Sequence, residues 1–486
     1  MGYIHPTAAK TVADIIGEIN GKVNNFVWGP VMIFFFVAVG IFLTVRTRFF
    51  QVSKFGLWLN STILAVFKDH KVRKTSDKKS ISQFQALSTA LAATIGTGNI
   101  VGVATAIVSG GPGAVFWMWV SAFFGMMTNF SENVLGILYR HKNEKGEWIG
   151  GAMLYIEKGL KQKWLAVLFS IFCILASFGI GNMSQANSIS SAMKNSFHIP
   201  TWVTGVVIAA IAALVILGGI RRIASVAEKI VPFMALAYML GGIIIICLNI
   251  QGVPNAFRQI FESAFSLKSV GGGVMGYAIA RAIRFGVARG VFSNEAGLGS
   301  SVMVHSASDV KEPVRQGMWG VFEVFVDTII VCTITALSIL CTGVLGKTDA
   351  NGELLQGAAL TAEAFKHGLP GDFAGAFVSL AIMLFAFSTI LGWSYYGERG
   401  VEYLFGLKYT WIYKCIFIAV IVVGCTTSLD LVWEISDTFN GLMAIPNLIA
   451  VTLLSGKVVQ SLMDYLARRK AGTLETTEPL KVEDMK

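Results

Sequence analysis

The stretch Ala93 to Gly102, ATIGTGNIVG, lies in the middle of an apolar segment that runs from about residue 81 to residue 108. The segment is long enough to cross a bilayer as one helix. Its centre argues against an unbroken one, because Gly96, Gly98 and Gly102 weaken a helix and Thr94, Thr97 and Asn99 bring polar groups to the same level. A break is expected there. Backbone groups freed at membrane depth cost several kcal/mol each unless they face protein or a hydrated cavity, so a helix interrupted at mid-span marks a place where something polar binds. Close packing through small residues four apart is the competing explanation, but packing does not call for Thr-Gly-Asn at the middle of a span.

The rest of the chain supports a membrane setting. It has 486 residues, 54% hydrophobic and only 14% charged, with a mean hydropathy of +0.64. Its apolar segments are too long for the core helices of a soluble enzyme. The net charge of +10 does not point to nucleic acid, since the basic residues lie in short loops between apolar spans, where they set topology. Cysteines at 173, 247, 332, 341, 415 and 425 fall in or at the edges of spans and form neither a disulfide framework nor a CxxC pair. No GxSxG, Walker loop or HExxH argues for an enzyme. His198 and His305 have no partner at metal spacing.

About eleven spans are expected, at 27–45, 81–108, 113–139, 164–193, 200–219, 231–250, 274–305, 316–343, 373–404, 411–428 and 432–456. The first lacks a basic leader and a cleavage site, and so reads as a retained helix. Between it and the second, Val52, Phe55, Leu59, Ile63 and Val66 recur at helical spacing opposite Lys54 and Lys68, the pattern of an amphipathic helix on the membrane surface. Lysine and arginine are concentrated in alternate loops, 46–81, 140–163, 220–230, 306–315, 399–410 and 456–486. That bias places the amino terminus outside and the carboxyl terminus in the cytoplasm. The polar tail from Lys470 is expected to be disordered.

A second interrupted span, VMGYAIARAIRFGVARGVFSNEAGLGSSVMVH at 274–305, carries Gly276, Gly286, Gly290, Gly297 and Gly299 with Arg281, Arg284, Arg289 and Glu295. Apart from the first helix, the chain then divides into five spans at 81–250 and five at 251–456, each block opening with a broken helix and the two running in opposite senses. That is the pattern of an inverted repeat with a binding site at mid-membrane. Residues 1–80 form an amino-terminal helix and basic surface segment, and 457–486 a cytoplasmic tail. Glu295 is open to two readings, a partner for a bound ammonium group or a structural anion paired with Arg281, Arg284 or Arg289, and the second is favoured because four ionisable groups on one span usually pair.

The residues of such a site can be read against a polar ligand that carries a carboxylate and an ammonium group. A half-helix starting near Gly98 would present N–H groups and a positive dipole end to a carboxylate, with Thr97 and Asn99 beside it. The run from Gly290 to Asn294 would expose carbonyls to the ammonium, with Phe292 against the side chain and Ser293 adjacent. GIGNMSQANSISS at 179–191 brings Gln185 into an otherwise apolar run, and AFSTILGWSYYGERG at 386–400 brings the hydroxyls of Ser388 and Thr389, with Trp393 one turn on. Phe292 and Trp393 together would wall a pocket that admits only a small side chain.

The stretches FQALSTALAATIGTGNIVGVATAI (84–107), GGPGAVFWMW (110–119), GGAMLYIEKGL (150–160) and GVARGVFSNEAGLGSSVMVHSA (286–307) resemble the alanine or glycine:cation symporter family, the sodium:alanine symporters of bacteria and archaea. The resemblance implies an all-α polytopic membrane protein with the leucine-transporter-like 5+5 inverted repeat after one extra helix, in the amino acid–polyamine–organocation superfamily. It further implies sodium-coupled uptake of alanine or glycine, and raises Gln185 among the polar residues of its span. In that fold one sodium sits between the first and eighth repeat helices. Here its ligands would be the carbonyls of Ala92 and Ile95 and the hydroxyls of Ser388 and Thr389, oxygens suited to a hard monovalent cation. Proton-coupled relatives in the superfamily can place a lysine in the fifth helix, and residues 231–250 contain none. A proton-coupled transporter and a channel are the alternatives.

Overall fold

The structure is a computed structural model that describes residues 12–265, 272–349, 351–369, 373–427 and 430–485. The described residues are almost entirely helical, with one two-stranded hairpin, His141–Lys142 against Trp148–Ile149. Six of their helices are each long and apolar enough to cross a membrane, among them Lys163–Phe197, Gly219–Leu248, Pro313–Cys341 and Ala374–Phe405. Other expected spans are present but carry interruptions or many polar residues: Ala114–Tyr139, Gly272–Asn294 and the bent pair Gln83–Thr94 and Gly98–Gly110.

Several boundaries differ from those the sequence suggests, each for a packing reason. The first span is preceded by a helix at Val12–Val27, turned at Gly29 and Pro30, that lies along the helix Asp430–Leu453. The basic segment after it is not one amphipathic helix. It breaks at Lys54 and Thr62 into short helices that bury Phe50, Trp58, Val66 and Val72, leaving Val52 and Phe55 exposed. The fifth repeat helix starts at Gly219, so the loop expected at 220–230 is helical and includes Lys229. Helices outside the expected apolar spans include Ala152–Leu160, Val253–Phe265 and Gly357–Gly368. The tail is ordered through residue 485: Ser455–Ala471 is helical, and Arg468 holds Asp464 at 2.7 Å and Glu312 at 2.6 Å. Leu480 then donates its N–H to Asp464.

The long helix Ala114–Tyr139 is central, packing against Pro30–Arg46, Gly272–Asn294 and Pro313–Val324. The inner half of the first broken span, Gln83–Thr94, packs between Gly219–Leu248 and Ala374–Phe405. The broken spans are tied at two levels. At the lysine- and arginine-rich end, Ile81 exchanges backbone bonds with Ala307 and Asp309 (3.2 and 3.0 Å). At mid-span, Thr361 on Gly357–Gly368 donates its hydroxyl to the Ile100 carbonyl at 3.0 Å.

Candidate substrate and ion site

The first break is built by backbone groups that change partners. Gln83–Thr94 starts at a capping box of Ser82 and Gln85 and stops at Ile95, which turns to φ −74 and ψ 80. Gly96 N–H then bonds to the Thr94 carbonyl (2.8 Å) and the Asn99 Oδ1 (3.0 Å). An unbroken helix would give that N–H to Ala92. The Ala92 carbonyl instead accepts the Thr389 hydroxyl at 3.2 Å, which also lies 3.2 Å from the Ala93 carbonyl and 3.1 Å from that of Phe385. Gly96 is required for this approach, since a Cβ there would stand 2.4 Å from Thr389 Oγ1. Ser388 shares the Phe385 carbonyl (2.8 Å) and faces Met234. A wider, π-type turn over Gly98–Gly102 leads into the outer half, Val103–Gly110.

The second break is an irregular buried loop after Asn294. Glu295, Gly297 and Gly299 all have positive φ (56°, 94° and 73°). Glu295 is a non-glycine residue in a conformation that costs about 1 kcal/mol or more, so the surroundings must hold it. They do: Asn294 Oδ1 accepts Ala296 N–H at 3.0 Å, Ser300 donates to Glu295 at 2.5 Å, and Glu132 accepts Gly297 N–H at 3.1 Å. Asn447 donates to the Gly297 carbonyl (2.9 Å) and to Glu132, and Tyr155 donates to Asn447.

Between the two breaks is a small cavity walled almost entirely by buried residues. Ala93, Thr94, Gly96, Thr97 and Gly98 line it from the first break, and Phe292 and Glu295 from the second. Gln185 and Ile180 reach it from the span Lys163–Phe197, which carries its own wide turn at Gly179–Met183. Thr389, Trp393 and Asn440 complete it. Larger clefts lie at the hairpin and in the basic surface segment, away from the breaks.

Of the residues expected at the site, Thr97, Gly98, Gln185, Phe292, Thr389 and Trp393 meet at this cavity, whereas Asn99 and Ser293 are turned from it. Asn99 donates to the Asp327 carboxylate (2.8 Å) and carbonyl (3.1 Å), and Ser293 donates to the same carboxylate at 2.8 Å. Thr328 adds a third donor at 2.8 Å. Asp327 thus ties both breaks to the span Pro313–Cys341, and the polar atoms of Asn99 are spent on holding the turn. The expected pairing of Glu295 with an arginine on its span is also corrected. Arg284 bonds to Asn25 (3.0 Å), while the Arg281 and Arg289 guanidinium groups stand over aromatic rings, those of Tyr277 and Phe285 and that of Phe292. No described ion pair engages Glu295. Lys229 lines a basic surface cleft, while Met234, further along the same helix, meets Ser388. The sequence reading missed Ile180 and Asn440, although an Asn-Gly pair inside an apolar span was a visible signal, and Asp327, an acidic residue visible in another span, could not be given its partners from the sequence.

Two helices broken at mid-bundle, facing each other across a small buried cavity, define a secondary transporter that spans the membrane several times. The sequence model of the Sodium:alanine symporter family matches residues 13–479, and the chain belongs to that family. It is 47% identical over 464 residues to the sodium/alanine symporter AgcS of Methanococcus maripaludis, covering 94% of this chain and 98% of that one. It is 43% identical to an uncharacterized transporter of Haemophilus influenzae, over 96% of this chain and all of the other. A crystal structure of a mutant manganese transporter of Eremococcus coleocola superposes with a TM-score of 0.51 at 13% identity, covering 85% of this chain and 92% of that chain. The fold is the leucine-transporter-like one, two five-helix repeats after an extra helix.

Proposed function

We propose that this protein is a sodium-coupled symporter that imports small neutral amino acids, alanine and glycine, across the cell membrane by alternating access. The observation that carries this reading is the Ala92 carbonyl, released by the break and faced by Thr389 on the eighth repeat helix, directly beside a small buried cavity. Sodium bound by the Ala92 and Ile95 carbonyls with Ser388 and Thr389 would hold the inner half-helix against Ala374–Phe405. That would fix the same turn whose Gly98 end meets the substrate carboxylate, so each ligand favours the other. The family and the sodium/alanine relative support the ion and the substrate class. The concentration of basic residues in alternate loops supports an external amino terminus and a cytoplasmic carboxyl terminus. Uptake of labelled alanine into proteoliposomes tests it. An inward sodium gradient is expected to drive accumulation above the external concentration; equal uptake with a proton gradient alone, or non-saturable flux, would overturn it in favour of proton coupling or a channel.

The cavity walls set the size limit. Trp393 is 3% exposed, meets Tyr396 edge to face with ring centroids 5.4 Å apart and is pressed against Gly181, while Phe292 comes from the opposite repeat. One added methylene is worth only about 1 to 3 kcal/mol in an attractive pocket, but rigid rings reject by clash. Wild-type protein is expected to prefer glycine and alanine, and Phe292→Ala or Trp393→Ala to admit valine at some loss of alanine affinity. Competition of labelled alanine by a series of unlabelled amino acids checks this, and an unchanged size ranking in both variants would remove the rings from the pocket wall.

A further inference from the structure

Among the described residues, the buried cavity is lined by oxygen atoms that lack donors. Gln185 is 2% exposed, and its amide is oriented by Nε2 donating to the Ile180 carbonyl at 3.0 Å, which leaves Oε1 without a partner. Asn440 is 1% exposed with Oδ1 unpartnered, and the Thr97 hydroxyl is buried and unpartnered. The Glu295 carboxylate completes the set: Ser300 donates to it, the Trp393 indole and the Tyr396 hydroxyl lie against it, and no described ion pair neutralises it. An acceptor buried without a donor costs about 1 to 3 kcal/mol, more when charged. Such a group of atoms fits a ligand that brings several donors and a positive charge.

We infer that Glu295, Gln185 and Asn440 form an acceptor cage for the ammonium group of the substrate, and that Asn440, on the last repeat helix, is a specificity-determining residue for a primary amine. The assignment rests on the alanine and glycine reading above. A primary ammonium has three N–H donors, a number the three acceptors match, whereas an N-methylated amine has fewer and a larger head. The polar groups are then sorted by kind: acceptors at Glu295, Gln185 and Asn440 for the ammonium, and the amide groups of the Gly98 turn for the carboxylate. Sorting of this kind orients a zwitterion and rejects analogues that leave a buried acceptor empty.

The extra amino-terminal helix gains a role from this arrangement, because it holds the helix that carries Asn440. Trp28 donates to the Asp437 carbonyl at 3.1 Å, one turn before Asn440, and Asn24 donates to Thr438 at 3.0 Å. Gly441, next to Asn440, is packed so closely that a Cβ would stand 2.1 Å from Val27. Trp28 and Asn24 are therefore positioning residues for Asn440.

The test uses the full-length protein in proteoliposomes and measures inhibition of labelled alanine uptake by glycine and by sarcosine, which differ only by a methyl on nitrogen, and by valine. Wild-type protein is expected to favour glycine over sarcosine by about tenfold or more. Asn440→Ala should reduce that ratio at least threefold while leaving the alanine-over-valine ratio unchanged. Asn440→Asp, which keeps acceptor oxygens, should preserve the glycine preference, and Trp28→Phe should shift it in the same direction as Asn440→Ala but less. If the alanine variant is not recovered as a monodisperse protein, Asn440→Ser serves in its place. An unchanged glycine-to-sarcosine ratio in a folded Asn440 variant, or a change confined to the alanine-over-valine ratio, overturns the assignment alone. Failure of wild-type protein to take up alanine saturably overturns the functional reading and the assignment together.

Discussion

Replacing Thr389 by valine is expected to raise the sodium concentration needed for half-maximal alanine uptake by about tenfold or more, with the protein still folded. Valine matches threonine in shape, so the packing of Ala374–Phe405 against the first broken span is kept. What is lost is the one hydroxyl that faces the carbonyls of Ala92, Ala93 and Phe385 together. For a cation that must exchange water for protein oxygens, removing one ligand of a small set is worth on the order of 1.4 kcal/mol or more, which is tenfold in affinity. Because sodium and substrate are proposed to order the same turn, alanine affinity should fall at low sodium and recover as sodium is raised. Ser388→Ala is expected to act in the same direction but more weakly, since that hydroxyl faces Met234 and reaches the cluster through the shared Phe385 carbonyl. Measuring uptake rate against sodium concentration at fixed alanine decides the matter. A sodium curve for Thr389→Val that overlays the wild type would remove Thr389 from the ion site.

The two breaks were legible because composition alone condemns a continuous helix there: three glycines within ATIGTGNIVG, and five glycines with four ionisable groups in the second span. The partners of the polar residues were not legible. Asn99 and Asp327 are 228 positions apart, and nothing in the local sequence says whether an asparagine at a break faces a ligand or a carboxylate on another helix. Ser293 was misdirected in the same way, since a hydroxyl near a break serves equally well to donate to Asp327. Glu295 was expected beside an arginine by proximity in sequence, yet the turn after Asn294 carries its carboxylate into the cavity while the arginines lie earlier on the helix, engaged by aromatic rings and Asn25. The surface helices Val253–Phe265 and Gly357–Gly368 escaped for a different reason. They are amphipathic elements outside the apolar spans, and their apolar faces register only when the bundle they cover is known.

Gly98→Leu is expected to abolish saturable alanine binding, even though leucine favours a helix more than glycine does. Gly98 does not have a positive φ, so backbone freedom is not the reason. The reason is proximity: a Cβ at Gly98 would stand 3.2 Å from the Phe292 ring and 3.3 Å from Ser293 Cα, where the two broken spans come together. The remaining three carbons of leucine have only the cavity to enter, and they would occupy the space where the amides of the turn meet the substrate carboxylate. Gly98→Ala separates packing from occupancy. A methyl group needs the neighbours to yield by only a few tenths of an ångström, so this variant should bind alanine with a loss of about tenfold, with glycine less affected than alanine because it leaves more of the cavity free. Thermal unfolding of both variants without substrate provides the control for global damage, and the stabilisation that saturating alanine and sodium confer on wild-type protein should be absent from Gly98→Leu. Wild-type alanine affinity in the leucine variant would show that this glycine serves only the approach of the helices, and would move the carboxylate end of the site away from the first break.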